Sequence, residues 1–186
     1  MNEDIKKALE VLHNGGLILY PTDTIWGIGC DALNPEAVKK VYDLKRRMDH
    51  KALLVLVDST AKLNAYVNPM PEVAWDLLET AVDPLTLIYS NARSLAPNLL
   101  GEDNSVGIRV TDELFSRTLC MRFKKPIVST SANISGEPAP KCFAEISKEI
   151  LEGVDYIVTY RQEEQTPAKP SHIIKLAENG EFTIIR

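Results

Sequence analysis

Ser129, Ser131 and Asn133 alternate along VSTSANISGEPAP (128–140), where an apolar segment runs into small hydroxyl and amide side chains, then a glycine and two prolines. Hydroxyls and a carboxamide at the end of a strand offer donors and acceptors where open α/β sheets place their ligands, and Gly136 suits a close approach of backbone. A second group is cationic: LKRRMDHK (44–51) gathers Lys45, Arg46, Arg47, His50 and Lys51. Side chains leaving a helix end can converge on phosphates, arginine as a bidentate fork and lysine as a mobile point charge. The same run is what a helix C-terminus stabilises through its dipole, by about 0.3–1 kcal/mol, so taken alone it is a solvated charge cluster.

Arg109 interrupts the apolar strand pattern SVGIRV (105–110). Periodicity leaves two readings open, an exposed edge-strand arginine and a site residue. LYPTDTIWGIG (19–29) carries Pro21, Thr22, Asp23, Thr24, Gly27 and Gly29, and on its own it is an ordinary strand-to-loop turn. It has neither the order of a Walker A loop nor the GxGxxG dinucleotide fingerprint. His13, His50 and His172 are scattered, and Cys30, Cys120 and Cys142 form no CxxC pair, so neither a metal site nor a disulfide framework is expected.

The elements that must position these groups follow from periodicity. Ile5, Ala8, Leu9 and Leu12 share one face of a helix over residues 3–14, stopped by Asn14-Gly15-Gly16, and LILY (17–20) reads as a buried strand. Asn34 as N-cap and Pro35 at the first helical position open a helix whose apolar face holds Val38, Val41, Tyr42 and Leu44 and whose end is the KRR cluster. LLVLV (53–57), PLTLIYS (84–90), VGIRV (106–110), PIVST (126–130) and DYIVTY (155–160) read as strands, with helices near 59–66, 71–80, 112–123 and 143–151. The tail from Ser171 reads as a hairpin turning at Asn179-Gly180. Strands alternating with helices predict an α/β fold with a twisted mixed sheet and flanking helices, in a single domain over 1–186.

With 45% hydrophobic and 25% charged residues the chain has the composition of a soluble globular protein. It has no apolar run of the length that crosses a bilayer and no secretory signal pattern, so a cytoplasmic location without membrane contact is expected. A net charge of -5 argues against coating nucleic acid by bulk attraction and leaves room for a local basic pocket.

Taken in order, YPTDT with GIGCD, LKRR followed by KALLVLV, SVGIRV, and PIVSTSANISGEP resemble the YrdC family, over nearly all of the chain, with the STSANxSG stretch the most specific part. The resemblance implies a twisted α/β fold around a basic concave cavity. It also implies a nucleotidyltransferase, an L-threonylcarbamoyladenylate synthase that joins L-threonine, bicarbonate and ATP, accompanied by Mg²⁺, into threonylcarbamoyl-AMP and pyrophosphate. That product supplies a downstream threonylcarbamoyl transferase complex that modifies tRNA, and the family also has a reputation for binding double-stranded RNA. By matched position, Thr24 would help hold threonine, Lys45 and Arg47 would meet the nucleotide phosphates, and Arg109 would take the threonine carboxylate or a phosphate. Ser129, Ser131 and Asn133 would line the threonine and nucleotide sites, Lys51 matches a basic position after the motif, and Ser171 and Arg186 match late positions that close over the nucleotide.

The chain departs from the family pattern where Met48 replaces the proline of KxRP and where Ala81, Val82 and Asp83 replace the WPG of WPGPLT. Asp83 is a carboxylate that would repel phosphate if it faced the site. The chain also matches the short form, without the extra C-terminal domain of the longer one. Two other readings stand beside the synthase: a non-catalytic double-stranded RNA or tRNA-binding protein using the same basic concavity, and a paralogous enzyme of this fold acting on another carbamoyl or nucleotide substrate.

Overall fold

The computed structural model describes residues 1–47, 53–165, 170–177 and 180–186. Helix α1 (Asn2–His13) buries Ile5, Ala8 and Leu12, and Gly15, at φ +69°, turns the chain back into strand β1 (Ile18–Tyr20). Helix α2 (Pro35–Leu44) starts where its sequence signal lies, with the Asn34 side chain accepting from the Glu36 and Ala37 N–H groups at 3.0 and 3.3 Å. The remaining helices are α3 (Leu63–Tyr66), α4 (Glu72–Thr80), α5 (Leu114–Phe123) and α6 (Lys148–Glu152). Helix α5 begins two residues later than its apolar pattern predicts because Glu113 serves as N-cap, accepting from Ser116 N at 2.7 Å.

The strands are β1, β2 (Gly27–Gly29), β3 (Leu54–Val57), β4 (Leu85–Tyr89), β5 (Val106–Val110), β6 (Ile127–Ser131), β7 (Tyr156–Ile157), β8 (His172–Leu176) and β9 (Phe182–Ile184). Among the described residues they form one mixed sheet in the order β7-β1-β2-β6-β3-β5-β4-β8-β9. Three pairs are parallel (β1 with β7, β3 with β5, β4 with β8) and the other five antiparallel, including three in succession from β1 through β2 and β6 to β3. The core runs along both faces through Ile18, Leu19, Ile28, Val55, Leu56, Ile108, Ile127 and Val128, with Phe115 and Leu119 of α5 and Val38 and Val41 of α2 closing over it. No helix among the described residues is long and apolar enough to cross a membrane.

Three local readings are corrected. GIG is a strand rather than part of a turn: β2 pairs with both β1 and β6, and glycine is required at 29, where a Cβ would meet Tyr20 Cε1 at 2.6 Å. Glycines depress strand propensity, so only this tertiary fit makes the segment a strand. The predicted strand 155–160 shortens to β7 because the Thr159 N–H leaves the ladder for the Asp4 carboxylate at 2.7 Å. Arg109 lies on β5, an interior strand between β3 and β4, which removes the edge-strand reading.

Candidate active site

Arg109 points from the middle of β5 and is only 2% exposed. Its Nη2 lies 3.0 Å from Asp23 Oδ1 and donates to Thr24 Oγ1 at 3.2 Å, while its Nε has no hydrogen-bond partner among the described residues. Burial pushes the guanidinium below its ordinary value and the Asp23 charge opposes that shift. Burial likewise raises the Asp23 carboxyl, against the pull of Arg109, and the negative charges of Glu113 and Asp112 add to the rise. A buried arginine with an unsatisfied donor is built to receive an anion, since a polar group left unpaired in the interior costs about 1–3 kcal/mol.

That anion has a space. A cavity of about 660 Å³ is lined by Thr24, Trp26, Arg47, Arg109, Ser129, Thr130, Ser131, Lys141, Ser171 and Arg186, with Ile25, Leu54 and Ile173 among its apolar walls. The described lining contains no acidic side chain. The volume suits a nucleotide-sized ligand. Gly27 of β2 helps set the floor, because a Cβ there would come within 3.1 Å of Ser129 Oγ. The close backbone approach expected of Gly136 belongs to Gly27 instead: Gly136 has open space around it and is needed for its φ of +88°.

The KRR cluster splits three ways. Arg47 lines the cavity, its guanidinium carbon 5.9 Å from the Tyr42 ring centroid. Arg46, at φ +50°, turns away to Glu149 Oε1 at 2.6 Å. Lys45 is 3% exposed and donates its Nζ to the carbonyls of Ser131 and Asn133 at 2.5 and 2.6 Å. Burial first, and then the charge of Arg47, push its ammonium down to about 8. Lys45 therefore braces the turn that presents Ser131, and it is absent from the cavity lining. Asn133 also sits in that turn, donating to Ile134 O at 3.0 Å and Glu137 O at 2.7 Å, with a buried Oδ1 that has no partner among the described residues.

The tail completes the enclosure. Ser171 Oγ is 3.0 Å from Thr86 Oγ1, and Arg186 Nε donates to Ser171 O at 3.1 Å. Of the residues singled out in the sequence, Thr24, Arg47, Arg109, Ser129, Ser131, Ser171 and Arg186 share this one cavity, Lys45 and Asn133 stand behind its wall, and Lys51 lies outside the described residues. Lys141 and Trp26 went unnoticed in the sequence. A lysine directly after PAP has no spacing rule to mark it, and Trp26 reads as core; its ring packs on Phe143 at 4.9 Å. Asp83 does not face the cavity. It lines a separate space of about 400 Å³ with Asp23, Asp58 and Asp112, and lies 3.6 Å from His172 Nε2.

Residues 10–186 match the Sua5/YciO/YrdC family, which carries the description "Telomere recombination". The chain is 34% identical over 158 residues to the threonylcarbamoyl-AMP synthase of Pseudoalteromonas translucida, covering 83% of this chain and 84% of that protein. It is 32% identical over 174 residues to the threonylcarbamoyl-AMP synthase of Vibrio parahaemolyticus, covering 92% and 93%. Among solved structures it is similar to P. abyssi Sua5 complexed with L-threonine, with a TM-score of 0.86, 25% identity and coverage of 98% of this chain. The chain spans about half of that Sua5 chain, 53% of its length. It shares the fold of E. coli YciO, with a TM-score of 0.86, 22% identity and coverage of 100% and 89%. The chain thus belongs to the Sua5/YciO/YrdC family.

Proposed function

We propose that the chain is an L-threonylcarbamoyladenylate synthase, a nucleotidyltransferase that makes threonylcarbamoyl-AMP and pyrophosphate from L-threonine, bicarbonate and ATP. The observation that carries this reading is the cavity itself, which joins a buried arginine whose Nε has no partner among the described residues to Arg47, Lys141 and Arg186 and to a row of hydroxyls, without an acidic side chain in its described lining. The names of the relatives support threonylcarbamoyl-AMP as the product and L-threonine as a substrate.

The chemistry needs no nucleophilic side chain. The threonine amine attacks bicarbonate, a C–N bond forming as a C–O bond breaks and water leaves, and an oxygen of the resulting carbamate attacks the α-phosphorus of ATP as the bond to pyrophosphate breaks. The obstacle is the charge of a carboxylate, a carbamate and a polyphosphate in one space. Arg109 would take the threonine carboxylate on its free Nε side, with Thr24 beside it, and would keep that charge away from the attacking oxygen. Arg47, Lys141 and Arg186 would spread around the phosphates, and Ser129, Ser131 and Ser171 would orient them by hydrogen bonds. Mg²⁺ would enter as MgATP, held by phosphate oxygens, and would supply further charge neutralisation. The apolar walls at Ile25, Leu54 and Ile173 would shield the short-lived carbamate from water.

The product would supply a threonylcarbamoyl transferase acting on tRNA. Pyrophosphate release from the purified chain, measured with all three substrates and with each omitted in turn, tests the reading. Release that requires both threonine and bicarbonate is expected. Release independent of threonine would overturn the assignment in favour of a paralogous activity, and absence of release with salt-dependent RNA binding would favour the RNA-binding reading.

A further inference from the structure

Arg161, which does not line the cavity but borders a small space shared with Thr24, Trp26 and Lys141, is held in an unusual way. It follows Tyr160, whose ring stacks on Phe115 of α5 at 5.9 Å, and it adopts φ +68°, a left-handed conformation that a residue with a Cβ rarely takes. Its guanidinium is spread across three partners. Nη1 donates to Thr22 O at 3.1 Å and lies 3.2 Å from Glu113 Oε1, while Nε donates to Glu164 Oε2 at 2.8 Å. Glu113 is fixed from its other oxygen, Oε2, as the cap of α5. The arginine thus ties the loop after β1 to the start of α5 and to the segment after β7.

What it holds is the base of the cavity's amino-acid end. Thr22 is buried, and its Oγ1 accepts from Thr24 N at 3.1 Å, donates to Ile25 O at 2.7 Å and lies 3.1 Å from Thr24 Oγ1. Thr24 Oγ1 is the atom that receives Arg109 Nη2. Arg161 thus holds Thr22 by its carbonyl, and the Thr22 side chain in turn holds Thr24, which receives Arg109. Such a support makes strain at one residue tolerable when it fixes the geometry of a site elsewhere.

We propose that Arg161 is a positioning residue for the amino-acid substrate: it locks the Thr22–Trp26 loop so that Thr24 and Arg109 face the carboxylate, without touching the substrate. The inference rests on the synthase reading for its substrate and on geometry alone for the loop.

The test compares the wild type with Arg161→Ala, Arg161→Gly and Arg161→Lys. Arg161→Ala should raise KM for L-threonine about tenfold, because a displaced Thr24–Arg109 pair weakens one charge-assisted contact to the carboxylate, with KM for ATP and kcat changed much less. Calorimetric titration of L-threonine alone should show the same loss. Arg161→Gly removes the guanidinium while suiting the positive φ, so it should bind threonine as poorly as Arg161→Ala and be at least as stable. Arg161→Lys keeps one cation and should recover part of the affinity. Hydrogen exchange should quicken at Thr22–Trp26 in Arg161→Ala while α1 and β5 keep wild-type protection. An unchanged KM for threonine in an active wild-type background, a loss confined to kcat, or equal losses in the Lys and Ala variants would overturn the proposal. A wild type without threonine-dependent turnover would instead overturn the synthase reading, and unchanged exchange at Thr22–Trp26 would then still refute the locking of the loop.

Discussion

Lys45 Nζ donates to the Ser131 carbonyl at 2.5 Å, so the cation that ends α2 grips the far end of β6 from behind. Adjacent cations thereby divide two tasks: Lys45 shapes the turn and Arg47 faces the ligand space. Replacing Lys45 with Met keeps the volume and strands the carbonyls of Ser131 and Asn133, a loss of about 1–3 kcal/mol for a buried group left unpaired. Arg47→Ala should leave the denaturation midpoint near wild type and lower ATP-dependent product formation about tenfold or more. Chemical denaturation beside pyrophosphate release separates the two, and a stable but inactive Lys45→Met would contradict the division.

The same lysine gives a pH signature. Its folded value of about 8 lies below the 10.5 of an ordinary lysine, so the unfolded chain holds the extra proton between those limits. Stability conferred at this position should therefore rise as pH increases from about 8 to 10.5, because the buried charge is lost while a neutral amine keeps two N–H donors for two carbonyls. The stability gap between wild type and Lys45→Met should widen over that window in denaturant melts, and a gap that narrows would refute it.

Arg109 and Asp23 form a pair whose halves need each other. Arg109→Ala should cost about 3–5 kcal/mol of stability, the penalty for an uncompensated buried charge. That is a larger effect than loss of a cavity cation without a buried carboxylate partner would have. The double variant Arg109→Leu with Asp23→Leu should recover most of the stability and none of the turnover. Recovery of both by the double variant would remove Arg109 from the reaction.

Much of this was legible in the sequence. Asn34-Pro35 marked the start of α2, alternation marked β3, β4, β5 and β6, and the SAN stretch emerges at the end of a strand. What escaped depended on tertiary partners. Gly27–Gly29 becomes a strand only because neighbours crowd the place of a Cβ at 29, and Lys45 turns inward because two carbonyls wait 86 and 88 residues away in the chain. Arg161 has one near partner, Glu164, but the two that tie it to the site, Thr22 and Glu113, lie far off in sequence.

Lys141 adds a cation at the rim, opposite Arg109 in role. It is exposed, so Lys141→Ala should keep wild-type thermal stability and raise KM for ATP about tenfold, as loss of one charge-assisted contact to phosphate does. KM for threonine should stay near wild type. Steady-state kinetics with each substrate varied in turn checks this, and a selective effect on threonine would reverse the orientation of substrates in the cavity.

Asp83 bears on whether the altered AVD segment disturbs the reaction. Its carboxylate is 72% exposed, pairs with His172 and lines the acidic space on the other side of Asp23, away from Arg47 and Lys141. An exposed charge in water acts weakly beyond the Debye length, about 8 Å at physiological ionic strength, and its partner histidine narrows that reach further when protonated. Asp83→Gly should therefore leave kcat and both KM values within about twofold of wild type, because neither its charge nor its side chain reaches the phosphates. A severalfold gain in ATP affinity that vanishes at high salt would show instead that its field extends into the basic cavity.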